Sequence, residues 1–257
     1  MHKLKRKEIL LQKIVEKNFM SSKDFLEYAQ SNGINESTAR RDLKELEKED
    51  KITLTFGGII SKVENELEIG RIEKAQKELY KKVAIANEAI KLLKENDVIF
   101  CAPGTTIEHF VKKIDKKIKV LVTNSFPVFL SAWNNKNIKD VFLLGGIFKE
   151  KSQVFYNRDT KKYLEGIKFS NAFFSCYSID YEGNIYDDFA PELDVLIEVL
   201  KRSTVKNLLV DSSKFVNEGI NQLISVNDIN NLITDQKAKG LITEKIEYLN
   251  IVFSKEN

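Results

Sequence analysis

Ile34-Asn35-Glu36-Ser37-Thr38-Ala39-Arg40-Arg41-Asp42-Leu43-Lys44-Glu45-Leu46 is the stretch around which the rest of the chain is organised. Ile34, Leu43 and Leu46 supply apolar anchors, and Asn35 stands where a helix N-cap belongs. Ser37, Thr38, Arg40, Arg41 and Lys44 provide hydrogen-bond donors. A helix with short hydroxyls and two adjacent guanidinium groups suits the phosphate rails and base edges of a DNA major groove. Arg40 and Arg41 point roughly 100° apart on such a helix, so they take different partners, one a base edge or groove wall and the other a phosphate. Ser37 and Thr38, near the helix start, are expected at phosphate or bases, and Asp42 is expected to restrain a nearby Arg or Lys.

On charge alone, a polar helix face is most often simply solvated. The order of the surrounding elements is what points to DNA. Leu4, Ile9, Leu10, Ile14 and Val15 form a first helical stripe. Ser21-Ser22-Lys23-Asp24 caps a second helix carrying Phe25, Leu26, Tyr28 and Ala29, which stops at Ser31-Asn32-Gly33. Two helices joined by a short Gly-containing turn make a helix-turn-helix. Lys51 to Phe56 then alternates like a strand, and Gly57-Gly58 permits a tight turn before Ile59-Ile60, which predicts a wing.

The 257 residues leave room for two domains. At 42% hydrophobic and 31% charged, the chain has a globular composition, and a net charge of +3 says little about partners. Cys101 and Cys176 lie far apart in apolar runs, which excludes a disulfide framework or a CxxC metal pair. There is no apolar run of signal-peptide or membrane-span length, so the cytoplasm is the expected location and no membrane partner is expected.

Residues 61–79 are highly charged and predict a connector between a DNA-binding domain at 1–60 and a larger domain at 80–257. In the larger part, apolar runs at 97–102, 119–123, 141–144, 172–174 and 207–210 alternate with helical segments. That alternation predicts an α/β fold with a doubly wound, mostly parallel sheet, whose ligands settle where strand ends become loops. Gly104-Thr105-Thr106 follows one strand and opens a helix, a small anion cradle in principle. Asn124 in Thr123-Asn124-Ser125, Gly145 in Gly145-Gly146, and Asp211-Ser212-Ser213-Lys214 follow other strand-like runs. Lys214 offers a phosphate a point charge, and Asp211 can hold a loop or a sugar hydroxyl.

These residues resemble the DeoR family of bacterial transcription regulators, of the sugar-metabolism repressor type. The N-terminal signature runs around Ser37-Thr38-x-Arg40-Arg41-Asp42-Leu43 and ends at Gly57-Gly58. The order GTT, TNS, GG, Ile179-Asp180 with Gly183, DSSKF and Ile233-Thr234-Asp235 is similar to the family's effector domain, so the resemblance covers nearly the whole chain. It implies a winged helix-turn-helix followed by a domain resembling sugar-phosphate isomerases that senses phosphorylated sugars or related metabolites. The chain departs from the family pattern at Leu54 and Phe56, where the wing usually carries Arg and His. It departs again at Cys101-Ala102-Pro103, Val154-Phe155-Tyr156, and Cys176-Tyr177. Glu192 stands where the family often has an acid.

The expected function is therefore an operator-binding repressor of sugar genes, paired into a homo-oligomer so that two readers meet repeated half-sites. A phosphorylated sugar is the expected effector. A sugar-phosphate isomerase with an appended reader is the enzymatic alternative, with Asp97, Asp180, Glu192 and Asp211 as candidate bases. A ligand-blind DNA-binding regulator is the third reading. His2 and His109 carry no assigned chemistry. No residue is assigned a catalytic or metal-binding role, and no cofactor is called for.

Overall fold

Ser21 accepts a hydrogen bond from the Asp24 backbone N–H at 3.1 Å, and Asn35 accepts one from Thr38 at 2.9 Å. Both N-caps therefore start their helices where the sequence places them. The computed structural model describes residues 3–17, 19–55, 58–61, 71–157, 159–187, 190–216, 219, 221–246 and 248–255, with the backbone alone at 4, 16, 17, 19, 71–73 and 190–192. The wing tip at Phe56-Gly57, most of the charged connector, His2, and the side chains of Leu4, Arg71 and Glu192 lie outside this description. The chain divides into two compact units, residues 1–69 and 70–257.

The N-terminal unit comprises helices α1 (Lys3–Lys17), α2 (Ser22–Ser31) and α3 (Glu36–Lys48), with strands β1 (Phe19–Ser21), β2 (Ile52–Leu54) and β3 (Gly58–Ser61). Gly33, at φ +72°, makes the turn between α2 and α3 in a conformation that favours glycine. The three strands form one antiparallel sheet in the order β1-β3-β2. A two-stranded wing was the expectation; β1 adds a third strand. Leu10 and Ile14 of α1, Phe25 and Ala29 of α2, Leu43 and Leu46 of α3, and Ile52 and Ile59 share one buried core.

The second unit begins with α4 (Arg71–Gln76), inside the stretch expected to be connector, and α5 (Leu79–Ala89). It continues through β4 (Val98–Cys101), α6 (Thr105–Lys112), β5 (Ile118–Thr123), α7 (Phe126–Trp133) and β6 (Ile138–Leu143). A hairpin of β7 (Ile147–Lys149) and β8 (Val154–Tyr156) and the short α8 (Thr160–Tyr163) lead to β9 (Phe169–Phe174). Then come β10 (Ser178–Ile179), β11 (Asn184–Asp187), α9 (Ala190–Lys201), β12 (Ser203–Leu209), β13 (Asn221–Ser225), β14 (Asn231–Thr234) and β15 (Asn250–Phe253).

Seven strands form a wholly parallel sheet in the order β15-β14-β12-β9-β4-β5-β6. The chain starts in the middle at β4, runs outward through β5 and β6, then returns to the other side of β4 and runs outward through β9, β12, β14 and β15. The direction reverses between β4 and β9. Alternate residues of β4 feed two cores: Ile99 and Cys101 join α5, α6 and α7 on one face, and Phe100 joins α9 on the other. A separate small antiparallel sheet, β10-β11-β13, was not legible in the sequence. No described helix is long and apolar enough to cross a membrane.

An asparagine ladder runs across the sheet. Asn171 donates to Asp97 at 3.1 Å, Asn207 to Asn171 at 3.1 Å, Asn231 to Asn207 at 2.7 Å, and Asn250 to Asn231 at 2.7 Å. Asn207, fully buried, sits in the middle of it. Asn207→Ala is expected to leave the buried Asn171 acceptor and the half-buried Asn231 donor unpaired, at a cost of about 1–3 kcal/mol in urea unfolding. Asn250→Ala, at the exposed end, should cost clearly less. Equal effects of the two would refute the ladder as a cooperative element.

Candidate functional site

The Arg-Arg helix sorts its residues by angle. At about 100° per residue, Ala39, Asp42, Leu43 and Leu46 form the buried stripe of α3, and Ser37, Arg41, Lys44 and Lys48 fall opposite it. Arg40 lies on a flank, where its Nε and Nη2 reach Glu36 Oε1 at 2.8 and 2.7 Å. The Ser37 hydroxyl donates to the capping Asn35 side chain at 3.0 Å, and Thr38 is half-buried on the other flank. Arg41 and Lys44 are exposed and have no ion-pair or hydrogen-bond partner among the described residues. Lys48 shares their face and carried no sequence-based assignment.

Asp42 and Glu45 of α3, with Glu49 at its C-cap, are paired with cations of α1. Asp42, fully buried, accepts from Arg6 of α1 through two hydrogen bonds, Nε to Oδ2 at 2.5 Å and Nη2 to Oδ1 at 3.0 Å. Lys3 reaches Glu45 at 2.8 Å, and Lys7 pairs with both Glu45 and Glu49. Hydrogen bonds from Lys3 and then Lys7 hold the Glu45 carboxyl below its ordinary range; Lys7 and then Lys51 do the same for Glu49. Cations of α1 thus neutralise one side of α3, leaving the opposite face positive. Such a surface is attracted to a polyanion.

In the second unit, parallel pairing brings the carboxyl ends of the seven strands of the main sheet to one edge. The crevice expected to take a ligand is where chain direction reverses, between β4 and β9. Gly104 sits there, its Cα placing a notional Cβ 3.5 Å from Ser175, which follows β9. Its φ of +142° selects glycine, and it starts α6 without a side-chain cap. The first N–H groups of α6 are therefore not satisfied by a capping side chain.

The loop after β12 meets this place. Lys214 Nζ lies 5.5 Å from the ring centre of Tyr177, just after β9. Two buried lysines of α5 complete the cluster. Lys81 Nζ donates to Ser212 Oγ at 3.0 Å and pairs with Glu78 at 2.8 Å. Lys82 Nζ donates to the Lys74 carbonyl, which also accepts from the Thr105 hydroxyl at 3.5 Å. Burial pulls the Lys81 ammonium's pKa down, but Glu78 and Asp235 outweigh it and the net shift is upward. For Lys82, burial prevails: its pKa is lowered, with Lys214 adding to the depression and Asp211 opposing it.

The structure thus brings Gly104, Thr105, Asp211 and Lys214 together with Lys81, Lys82, Ser212 and Tyr177. Thr106 is buried at the same helix start. Asp211 holds the 212–214 turn, accepting from Ser213 N at 3.0 Å. Asn124 lies one strand over, its amide donating to the Phe155 carbonyl at 3.0 Å while its buried Oδ1 has no partner. Gly145 is exposed and lines a small hollow with Leu144 and Phe155, to which none of the lysines contributes. Lys81 and Lys82 escaped the sequence reading, although a signal existed: they stand in register with the buried stripe Ile85, Ala86 and Ala89.

Of the candidate bases for catalysis, Asp180 accepts from Glu182 N, Asn184 N, Asn184 Nδ2 and Tyr186 Oη, between 2.8 and 3.0 Å. Burial pushes its carboxyl up, but those hydrogen bonds outweigh it and hold the pKa low. Asp97 precedes β4, at the opposite edge of the sheet, and anchors the asparagine ladder. His109 is half-buried on α6, its pKa lowered by burial and then by Lys112. Both cysteines are buried and neither is in a disulfide, and burial pushes the Cys101 thiol well up. Among the described residues, no group of three His, Cys, Asp or Glu is placed to hold a metal ion.

A DeoR-like helix-turn-helix domain model matches residues 6–64, and a DeoR C-terminal sensor domain model matches residues 77–236. The chain is 32% identical to the uncharacterized HTH-type transcriptional regulator YulB of Bacillus subtilis (strain 168), over 95% of this chain and 96% of that protein. It is also 32% identical to the lactose phosphotransferase system repressor of Streptococcus mutans, over 85% and 88% of the two chains. Among solved structures, ribose 5-phosphate isomerase A of Methanocaldococcus jannaschii is similar at 17% identity and a TM-score of 0.40, covering 53% of this chain and 54% of that one. The two family-model matches and the 32% identity to the Bacillus subtilis regulator over nearly the whole chain make it a member of the DeoR family of transcriptional regulators.

Proposed function

We propose that this regulator is a cytoplasmic repressor of sugar-metabolism genes, without enzymatic activity, and that a phosphorylated sugar bound at the β4–β9 crevice alters its grip on an operator. The observation that carries the effector reading is the buried Lys82 ammonium. It has no carboxylate partner among the described residues, and it stands beside the uncapped N-terminus of α6 and near Lys214. A phosphate there would meet Lys82, Lys214, the Thr105 hydroxyl and the free N–H groups of α6. The lactose phosphotransferase system repressor of Streptococcus mutans supports sugar genes as the target. The commitment of Asp97 and Asp180 to structural hydrogen bonds supports a sensor over an isomerase. Arg41, Lys44 and Lys48 are assigned to the operator, with Ser37 and Thr38 at the helix start and Arg40 on the flank.

An effector acts only through different affinities for operator-competent and operator-incompetent states. The test is titration of pentose and hexose phosphates into the protein–operator complex. At least one should release or reorganise it, and Lys82→Ala and Lys214→Ala should each lose that response while keeping operator affinity. If none of the compounds changes the complex, the sensing role is wrong.

Binding should also be linked to protons. The Lys82 pKa is lowered in the free protein, chiefly by burial, and an arriving phosphate dianion raises it, so binding takes up protons at pH values around and above the free-state pKa and none well below it. Effector affinity is then full below the free-state pKa of Lys82 and falls as pH rises above it. Calorimetry in buffers of different ionisation enthalpy should show proton uptake that disappears in Lys82→Ala. Unchanged uptake in that variant would remove Lys82 from the site.

A further inference from the structure

Helix α7 carries an aromatic strip on its outer surface. Phe126, Leu130 and Trp133 are exposed by 38, 43 and 70%, at spacings of four and three residues that set them on one side of the helix. Phe148 of β7 extends the strip, 45% exposed, with its ring edge-on to Phe126 at 6.3 Å; Phe129 stacks on Trp133 at 6.1 Å. The inner side of the same helix is fully committed to the core through Val128 and Ala132. The strip is therefore a second apolar face, which the unit itself does not need for folding.

We infer that this face is covered by a second copy of the chain, α7 packing against α7 across a two-fold axis. Area is the first reason. At the exposures given, the four side chains present roughly 500 Å² of apolar surface, near the top of the range for the largest patch on a monomer. A standard interface buries about 800 Å² per partner, somewhat over half of it apolar, so the strip matches what a stable dimer requires. Shape is the second. An isologous contact needs a self-complementary patch, and a helical ridge beside the roughly 610 Å³ groove between α6 and α7, lined by Pro127, Leu130 and Ser131, offers both ridge and groove.

Charge selects the orientation. Lys112, Lys113 and Lys136 outnumber Glu108 and Asp115 in the lining of that groove, near the C-terminal end of α7. Parallel helices would set two such clusters side by side, whereas antiparallel packing carries each towards the Phe126 end of the other protomer. The identity of the occupant rests on the proposed regulator, because two recognition helices must be paired to read repeated half-sites. The same helix is capped by Ser125, directly after Asn124, whose buried Oδ1 has no partner, at the sheet's ligand edge. The interface helix is thus anchored at the strand end from which an effector would be sensed.

Trp133 is the only tryptophan of the chain, so it reports on its own burial. Sedimentation of the full-length protein should give a dimer or larger assembly, and Leu130→Glu should at least halve its mass with unchanged far-UV circular dichroism. Trp133 emission should be blue-shifted in the wild type and move to that of a solvated indole in Leu130→Glu, and Leu130→Glu should weaken operator binding by tenfold or more. An assembly that survives both Leu130→Glu and Trp133→Glu overturns this interface while leaving paired operator recognition intact. A wild-type protein that stays monomeric overturns the interface, and if that monomer also binds its operator at full affinity, paired reading falls with it.

Discussion

Asp42→Ala removes about 3–5 kcal/mol from the stability of the N-terminal unit, the expected cost of stranding one partner of a buried ion pair. The residue is fully buried on α3 and takes two hydrogen bonds from Arg6 of α1, whose side chain is only 13% exposed. Deleting the carboxylate leaves the guanidinium in low dielectric with its fork unpaired. For a unit of this size that loss rivals the whole stability. Urea unfolding followed by far-UV circular dichroism should show an early loss of helix. Trp133, which belongs to the other unit, should report an unshifted transition. Replacing both partners, Arg6→Met with Asp42→Leu, should recover most of the loss, because an apolar pair strands no charge. A single Asp42→Ala that unfolds with the wild type would mean that Arg6 finds water or another acid.

Acid should act on the same contact. Glu45 and Glu49 have carboxyls held low by Lys3 and Lys7. A group whose folded pKa lies below its unfolded one stabilises fully above the unfolded value, and loses that contribution as pH falls through the folded one. The α1–α3 contact is therefore expected to weaken below the ordinary carboxylate range, before any change registered by Trp133.

Arg41→Ala weakens operator binding by about 1–3 kcal/mol, roughly five- to 150-fold, if the guanidinium reads a base edge. If it holds a phosphate, the loss is uniform across sequences and the salt dependence becomes shallower by about one unit of slope. Arg40→Ala is expected to lose less. Arg40 sits on the flank of α3 and is already paired with Glu36, whereas Arg41 stands opposite the buried stripe with no partner among the described residues. Anisotropy titrations against operator and scrambled duplexes at two salt concentrations separate these outcomes. A larger loss from Arg40→Ala would mean that the helix presents another face to DNA.

Some of this was legible because it is local. A cap bonds three residues ahead, so Ser21 and Asn35 announce their helices. Gly104-Thr105-Thr106 announces a strand-to-loop-to-helix transition by the glycine its backbone demands. Asp42 was recognisable as a restraint on a basic residue, although its partner was not, since Arg6 lies 36 positions away. Strand β1, only three residues long, exists because β3 offers it an edge, and nothing in Phe19-Met20-Ser21 foretells that.

By itself, then, the chain determined what depends on periodicity and neighbouring residues: the helix-turn-helix, the alternation of strands with helices, and the loops that end strands. Tertiary structure alone decided which charges are available. It set Asp42 and Glu45 of α3 against cations of α1 and left Arg41 and Lys44 unpaired among the described residues. It carried Lys81 across 131 positions to Ser212 and buried Lys82 beside the start of α6. The reason is physical. A charge acquires its meaning from burial and from partners a few ångströms away, and distant segments supply both only once the sheet has brought its strand ends to one edge.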